Sequence, residues 1–542
     1  MQTIPSMYRR LNFLIAPLAV LAIAASQASC VVDVAGDESD LTSVTARERV
    51  MTFEGYVYVL PTASASQILT AVRSQTRSAF GALLVSNVAV ASRELAAVDA
   101  KSFIKEKVSV LDDAGGVSHE MLRVHYRYTD RAIMPKAMAS RSTLSLGLLH
   151  GDYQDQAERI LTDCTLNGPD EREMATDIWY VFNPSLARCK KAMKAEQTLL
   201  DAKRVAALAA PAQVVAEELT RLYIPMTASF SATPESGKTS YPEYDRLWAG
   251  GVTPGTLTST VLAGMIDHVK PGETHYEADD SGYWETMATM EELLRTRPKL
   301  NVVTVDPPAD LSTFQVGKKS LGHLTFRNFV EWNVYETGWP EGLTPTEKKD
   351  LERQVAHRIA NRWITFEEKV KVAIGTAAPK LTTIRVQLYF GAEEAITPYR
   401  RAIQTSDILL YNGHSYIGEG PLDPKNFSKK DFPQSYQLLF IDSCISFNYY
   451  NSDYNAFKTN GSADLDLITN GVESLSDGSG AAQGRFLAKI LSGKTPSYLA
   501  LLKTASTTGS DYSWGKDALR VVDGELDNQY TPTLKPIKLT SP

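Results

Sequence analysis

The chain has 542 residues, 43% of them hydrophobic and 22% charged, with a net charge of −7. That length allows two or three domains with ordinary buried cores, and the acidic balance argues against nucleic acid or an anionic lipid surface as the main partner. After the leader, no apolar run reaches the roughly 18 residues that a membrane helix needs, so the remainder is expected to be soluble or tethered by its N-terminus.

Residues 1–29 read as a signal peptide: Arg9-Arg10, an apolar run over 13–25 interrupted only by Pro17, then small residues. Ala28-Ser29-Cys30 resembles a bacterial lipoprotein processing site, which would make Cys30 the lipidated first residue. Gln27 departs from the apolar residue usual there, and ordinary cleavage after Ala28 also fits. The expected location is therefore the cell envelope, in the outer membrane or periplasm, or outside the cell. Residues 30–50, with Asp33, Asp37, Glu38 and Asp40, read as an acidic tether.

Residues 51–215 are expected to form a smaller α+β accessory domain. Strand patterns fall at 53–60, 84–91 and 177–182, and a helix at 64–80. A hairpin turns at Asp112-Asp113-Ala114-Gly115-Gly116. A helical segment spans 152–164, and Asn183-Pro184 opens a helix running to about 209. In an oxidising compartment Cys164 and Cys189 are expected to pair, which leaves Cys444 as the free thiol. His119 and His125 share a strand face but read as surface residues.

Residues 216–542 are expected to form an α/β domain whose mostly parallel sheet is flanked by helices, with its clearest core over 383–522. The part before residue 308 is least legible, with strands at 221–230 and 300–305 and a helix at 283–296. Its acidic loop, Glu277-Ala278-Asp279-Asp280, offers oxygen ligands without the spacing of a calcium loop and reads as solvated. Thr344-Pro345-Thr346-Glu347 is a capping box. Leu351, Val355, Ile359 and Trp363 recur every fourth residue and predict a helix of about twenty residues. A strand at 383–390, a helix at 395–404 and a strand ending at His414 make a β-α-β unit with parallel strands. A strand at 465–469, a helix at 481–491 and a last strand at 518–522 complete the domain.

Two apolar runs end on reactive residues. Ile408-Leu409-Leu410-Tyr411 leads to His414, and Leu438-Leu439-Phe440-Ile441 leads to Cys444. Such runs read as strands covered on both faces, and ligands in open α/β sheets sit beyond the carboxyl ends of such strands. A thiol and an imidazole on one rim are the means for nucleophilic catalysis.

A Gly-His pair after one strand, and Asp-x-Cys after another thirty residues on, resemble the caspase-like cysteine peptidases of clan CD. The resemblance covers about a quarter of the chain and implies an endopeptidase with His414 as proton donor and Cys444 as nucleophile. It further implies an oxyanion hole of backbone N–H groups, from Cys444 and from Ser415 or Gly413; the family has glycine where Ser415 stands. Asp442 has two readings, a strand-end support or a specificity residue. Asp442, Glu473 and Asp477 are the candidates for selecting a basic substrate side chain. The expected partner is a peptide or protein, with a membrane met only through the lipid anchor. No metal-ligand motif, phosphate loop or dinucleotide fingerprint occurs; no cofactor is expected, and calcium, which some relatives require, has no motif here. The competing readings are a catalytically silent caspase-like scaffold that binds an envelope partner, and another acyl-transfer enzyme such as a transpeptidase.

Overall fold

A computed structural model describes residues 41–542 apart from 235–236, 268–274, 451, 476–477 and 507–516. The leader, Cys30, most of the tether, and Asp477 lie outside the described residues. The fold is mixed α/β, built on two sheets.

The smaller sheet is antiparallel except at one edge, where Gln213–Val215 runs parallel to Ile104–Leu111. Its strands run in the order Thr143–Leu149, Tyr223–Ala232, Ala46–Val59, Val117–Pro135, Ile104–Leu111 and Gln213–Val215, so it extends to Ala232. The two long strands pair from Ala46↔Pro135 to Val59↔Leu122. Alternate residues Met51, Phe53 and Val57 are buried, as are Val124, Tyr126 and Tyr128 on the paired strand, the period of two that a half-covered sheet requires. Ala65–Arg77 is a helix because Ser64 and Gln67 form a capping box and Ile68 and Val72 lie four apart on its buried face. Cys164 and Cys189 are joined by a disulfide.

The larger sheet has ten strands. Six of them frame the candidate site: β1 (Thr256–Gly264), β2 (Lys380–Gly391), β3 (Ile408–Asn412), β4 (Gln437–Asp442), β5 (Leu465–Thr469) and β6 (Val521–Asp523). Their spatial order is β2-β1-β3-β4-β5-β6. The first five are mutually parallel and β6 is antiparallel to β5. Antiparallel strands at both margins, among them Arg362–Ile374 beside β2, make the sheet mixed rather than mostly parallel. Every residue of β1, β3, β4 and β5 is buried. Ile408, Leu410, Leu438 and Phe440 pack with the helices Ser281–Thr296 and Ser479–Leu491. Leu409, Tyr411, Leu439 and Ile441 join a core with Met51, Phe80 and Tyr128 of the smaller lobe. Tyr399, Ala402 and Ile403 of the helix Ile396–Thr405 belong to the same core, which joins the larger sheet and the smaller lobe. The two are also stitched by Thr42–Ser43, which pairs with β6 before the chain crosses into the smaller sheet.

Several sequence expectations change. Residues 177–182 are helical turns, not a strand: Trp179 is buried and its indole bonds Asp177 2 residues back. The capped helix runs from Pro345 to Ile359 only. Asn361 adopts φ 58°, which ends it, and Trp363 belongs to the strand Arg362–Ile374. The period of four thus continued by chance across a turn. β2 and β3 are parallel, but β1 lies between them. This central strand, TLTSTVLAG, was not legible because its threonines and serine disguise a wholly buried segment. The final strand is Ile537–Thr540. Asp280 is not solvated: its buried carboxylate caps the helix Ser281–Thr296 through Gly282 N–H at 2.8 Å.

His150, beside the rings of Tyr56 and Tyr58, is buried in the accessory lobe. Burial, then the charge of Arg221, push its pKa down to about 4. The native state therefore binds fewer protons than the unfolded chain between that value and the ordinary histidine value of about 6.5. Stability is fully present above the latter and falls as pH drops through this window, by roughly 3 kcal/mol. Urea unfolding at both ends of the window should show that His150→Gln removes this part of the acid loss; an unchanged difference between the two pH values would contradict it.

Candidate active site

β3 and β4 are neighbours in register, Asn412 opposite Asp442. His414 and Cys444 each follow two residues later, so both leave the sheet at the same rim from adjacent parallel strands. Sequence reasoning brought these two residues together, and the topology agrees.

Sequence reasoning missed the carboxylate that holds the histidine. Glu393 follows β2, and its side chain is 1% exposed. Its Oε2 lies 2.8 Å from His414 Nδ1, and its Oε1 accepts the His414 backbone N–H at 3.0 Å. The Tyr411 hydroxyl lies 2.7 Å from the same Oε1 and 2.8 Å from the His414 carbonyl oxygen. A carboxylate only accepts, so Nδ1 carries the proton and Nε2 is left for proton transfer. The slot is cut by two glycines. A Cβ on Gly264, at the end of β1, or on Gly413 would stand 2.1 Å from Glu393 Oε1. Gly413 thus serves as the space for this carboxylate. Burial alone would lower the His414 pKa, but the bond to and charge of Glu393, with Asp280 and Asp267 further off, hold it above the ordinary value.

Asp442 is consumed by the fold. Its Oδ1 accepts from Asn470 Nδ2 and Ser474 Oγ, both at 2.6 Å, and its Oδ2 pairs with Arg520 at 3.0 Å. Arg520 is itself buried and also bonds the Ala505 carbonyl. Removing either partner would strand a buried charge, at a cost of about 3–5 kcal/mol. This is the strand-end role of its two readings, and it ties the loop after β5 to the end of β4. That loop also receives the turn after Cys444: Ile445 N–H bonds the Val472 carbonyl at 3.1 Å and Phe447 N–H bonds that of Asn470 at 2.9 Å.

Cys444 is half-buried, and its thiol donates to the Ser474 carbonyl at 3.6 Å. Burial, then the charge of Glu473, push the thiol up to about 12. Glu473 is exposed, while desolvation of its carboxyl pushes its pKa up. It makes no hydrogen bond or ion pair among the described residues. Burial pushes the hydroxyl of Tyr180, in the accessory lobe, well above its ordinary value, and the charges of Glu473 and Cys444 add to the shift.

Ser415 has φ −84° and ψ −22°, a conformation open to any residue, so the position does not require glycine. Its carbonyl is occupied by Gly418 N–H, Gly420 N–H and the Tyr450 hydroxyl. Its own amide, like that of Cys444, bonds no acceptor on another described residue. The Gly413 amide, the other expected donor, likewise bonds no acceptor on another described residue, whereas the His414 N–H beside it is spent on Glu393. A thiol, an imidazole oriented by a carboxylate and unspent N–H groups are the equipment of acyl transfer. Among the described residues no group of three or more His, Cys, Asp or Glu is arranged to hold a metal ion.

Comparison with known proteins finds no matching family model, no similar curated protein and no similar solved structure.

The state of the thiol is directly measurable. Iodoacetamide alkylation of Cys444, followed by mass spectrometry of its peptide, should quicken about tenfold per pH unit from pH 7 to 10 with no plateau. Glu473→Gln removes a repelling charge and should speed labelling at pH 8. A plateau below pH 9 in the wild type would contradict a thiol held neutral.

Proposed function

We propose that the chain is a cysteine endopeptidase of caspase-like type, with Cys444 as nucleophile and His414 as proton carrier. The observation that carries this reading is the register-matched exit of both residues from neighbouring parallel strands, with Glu393 fixing the ring through Nδ1. Support for the caspase-like type comes from the Gly-His and Asp-x-Cys strand ends on a sheet with a parallel centre.

The thiol is neutral at rest, so the sulfur attacks the scissile carbonyl carbon as its proton passes to His414 Nε2. The carbonyl electron pair moves onto oxygen, where the Cys444 and Ser415 N–H groups receive it. Collapse breaks the C–N bond, the imidazolium protonates the leaving amine, and water hydrolyses the thioester. Attack needs neutral imidazole, so the acid limb of kcat/KM should lie above the ordinary histidine pKa of about 6.5. Glu393→Gln withdraws the charge that raises it and should move the limb to lower pH while reducing kcat.

Asp442 is committed to Arg520, and Asp477 lies outside the described residues, so Glu473 is the described acid open to a substrate cation. A basic P1 residue is the matching class. The leader pattern and Cys30 support, within the same proposal, a location at the cell envelope. A second reading, a silent scaffold that binds an envelope partner, is favoured by the thiol's suppressed ionisation. A peptide library separates the two. The wild type should cleave after Arg or Lys, Cys444→Ala should abolish cleavage, and Glu473→Gln should narrow the preference for basic P1. Cleavage that survives Cys444→Ala would end the peptidase assignment, and cleavage without preference would end the role of Glu473.

A further inference from the structure

Residues 88–95 of the accessory lobe meet the loops that follow both His414 and Cys444. Arg93 Nη2 donates to the Gly418 carbonyl at 2.6 Å, and Nη1 pairs with Asp423 at 3.0 Å. Both partners lie in the loop after His414, and the Asp423 side chain is 0% exposed. Asn448, in the helical turn Ser446–Tyr449 after Cys444, donates to the Val90 and Ser92 carbonyls at 3.0 and 2.8 Å. Its Oδ1 accepts the Glu94 N–H at 3.1 Å. The two loops also touch each other: a Cβ on Gly418 would stand 2.6 Å from the Tyr449 ring, and the Tyr450 hydroxyl bonds the Ser415 carbonyl at 3.1 Å.

These contacts hold backbone that would otherwise relax. Tyr416 and Ile417 after His414, Ile445 directly after Cys444, and Glu94 and Leu95 in the accessory turn all have φ between 48° and 55°. None is glycine, and the left-handed region costs a non-glycine residue about 1–3 kcal/mol. Ile417 and Ile445 are β-branched, which makes it least natural for them. Strain of this kind persists only where the surroundings over-determine it. Ile445 is held by its N–H bond to the Val472 carbonyl and is buried beside Phe80, Leu83, Val88 and Val90 of the accessory lobe. The polar latch adds a second tie between that turn and the same lobe.

We propose that residues 92–95 are part of the catalytic apparatus, with Arg93 positioning the loop of His414 and Asn448 fixing the turn of Cys444 on the same segment. Arg93 and Asn448 are positioning residues, since they act through Gly418, Asp423 and the backbone rather than on substrate. The inference rests on the peptidase reading for its kinetic consequence, and on geometry alone for its structural one. It makes the accessory lobe a component of the site, and a planar guanidinium suits it: the fixed fork holds the Gly418 carbonyl and the Asp423 carboxylate through two nitrogens, where an ammonium offers a single point of attachment.

The test uses the whole mature chain with Arg93→Met and, as the milder change, Arg93→Lys. With thermal unfolding still cooperative, Arg93→Met should lower kcat about tenfold with little change in KM. It should also raise amide hydrogen exchange in 415–423 and 445–450 and alter the rate of Cys444 alkylation at pH 8. Arg93→Lys should fall between Met and wild type in each. Wild-type kcat, exchange and alkylation in a folded Arg93→Met would overturn the proposal; if that variant does not fold, wild-type values in Arg93→Lys would do so. Should the wild type cleave no peptide, the peptidase reading fails by itself, and exchange and alkylation still decide whether the latch positions the two loops.

Discussion

Everything at the candidate site depends on one buried carboxylate. Glu393 is taken out of water at the end of β2 and repaid by three groups of a single strand end: the His414 ring, the His414 N–H and the Tyr411 hydroxyl. A buried carboxylate is costly unless its lone pairs are satisfied, and this one fits only because Gly264 ends β1 and Gly413 follows β3. The same contact sets the ring's tautomer, its orientation and its raised proton affinity. The strand order β2-β1-β3-β4 can then be understood as the arrangement that delivers acid, space, imidazole and thiol to one rim.

The strand ends at His414 and Cys444 were legible because parallel strands buried on both faces read as unbroken apolar runs, and their residue types are few. The disulfide followed from the spacing of the cysteines in a chain read as exported, and the capping box at Thr344 from its four residues. What the sequence hid is physically consistent. β1 is buried at the sheet centre yet rich in threonine and serine; the Thr260 hydroxyl finds its partners, Gln387 and Ser406, only in three dimensions. Glu393 sits in Gly391-Ala392-Glu393-Glu394, where nothing local separates it from its exposed neighbour. Its one signal was position, directly after a strand that ends on the same rim. Trp363 shows the reverse error, a helical period that persisted across a left-handed Asn361 into a strand.

Long-range pairing was least legible of all. Thr42–Ser43 joins the far edge of the larger sheet, and Arg93 reaches a loop more than 300 residues away. No local pattern encodes such contacts, yet they make residues 38–542 one compact unit. An accessory domain read as a separate module shares in the structure one core with the larger sheet and is bonded to the loops after His414 and Cys444. Each large apolar side chain buried in that core contributes roughly 1.5–3 kcal/mol, while the ion pair of Arg93 with Asp423 fixes where one loop lies.

The central claim is that Cys444, His414 and two backbone N–H groups converge on one reacting carbonyl. A crystal structure of the protein with a peptidyl aldehyde bearing arginine or lysine at P1 tests this most directly. The account predicts a hemithioacetal on Cys444 Sγ, its oxygen within about 3 Å of the Cys444 and Ser415 amides, with His414 Nε2 facing the adduct and Nδ1 still on Glu393. An oxygen turned away from both amides, or a His414 ring on the far side of the rim from the sulfur, would contradict it.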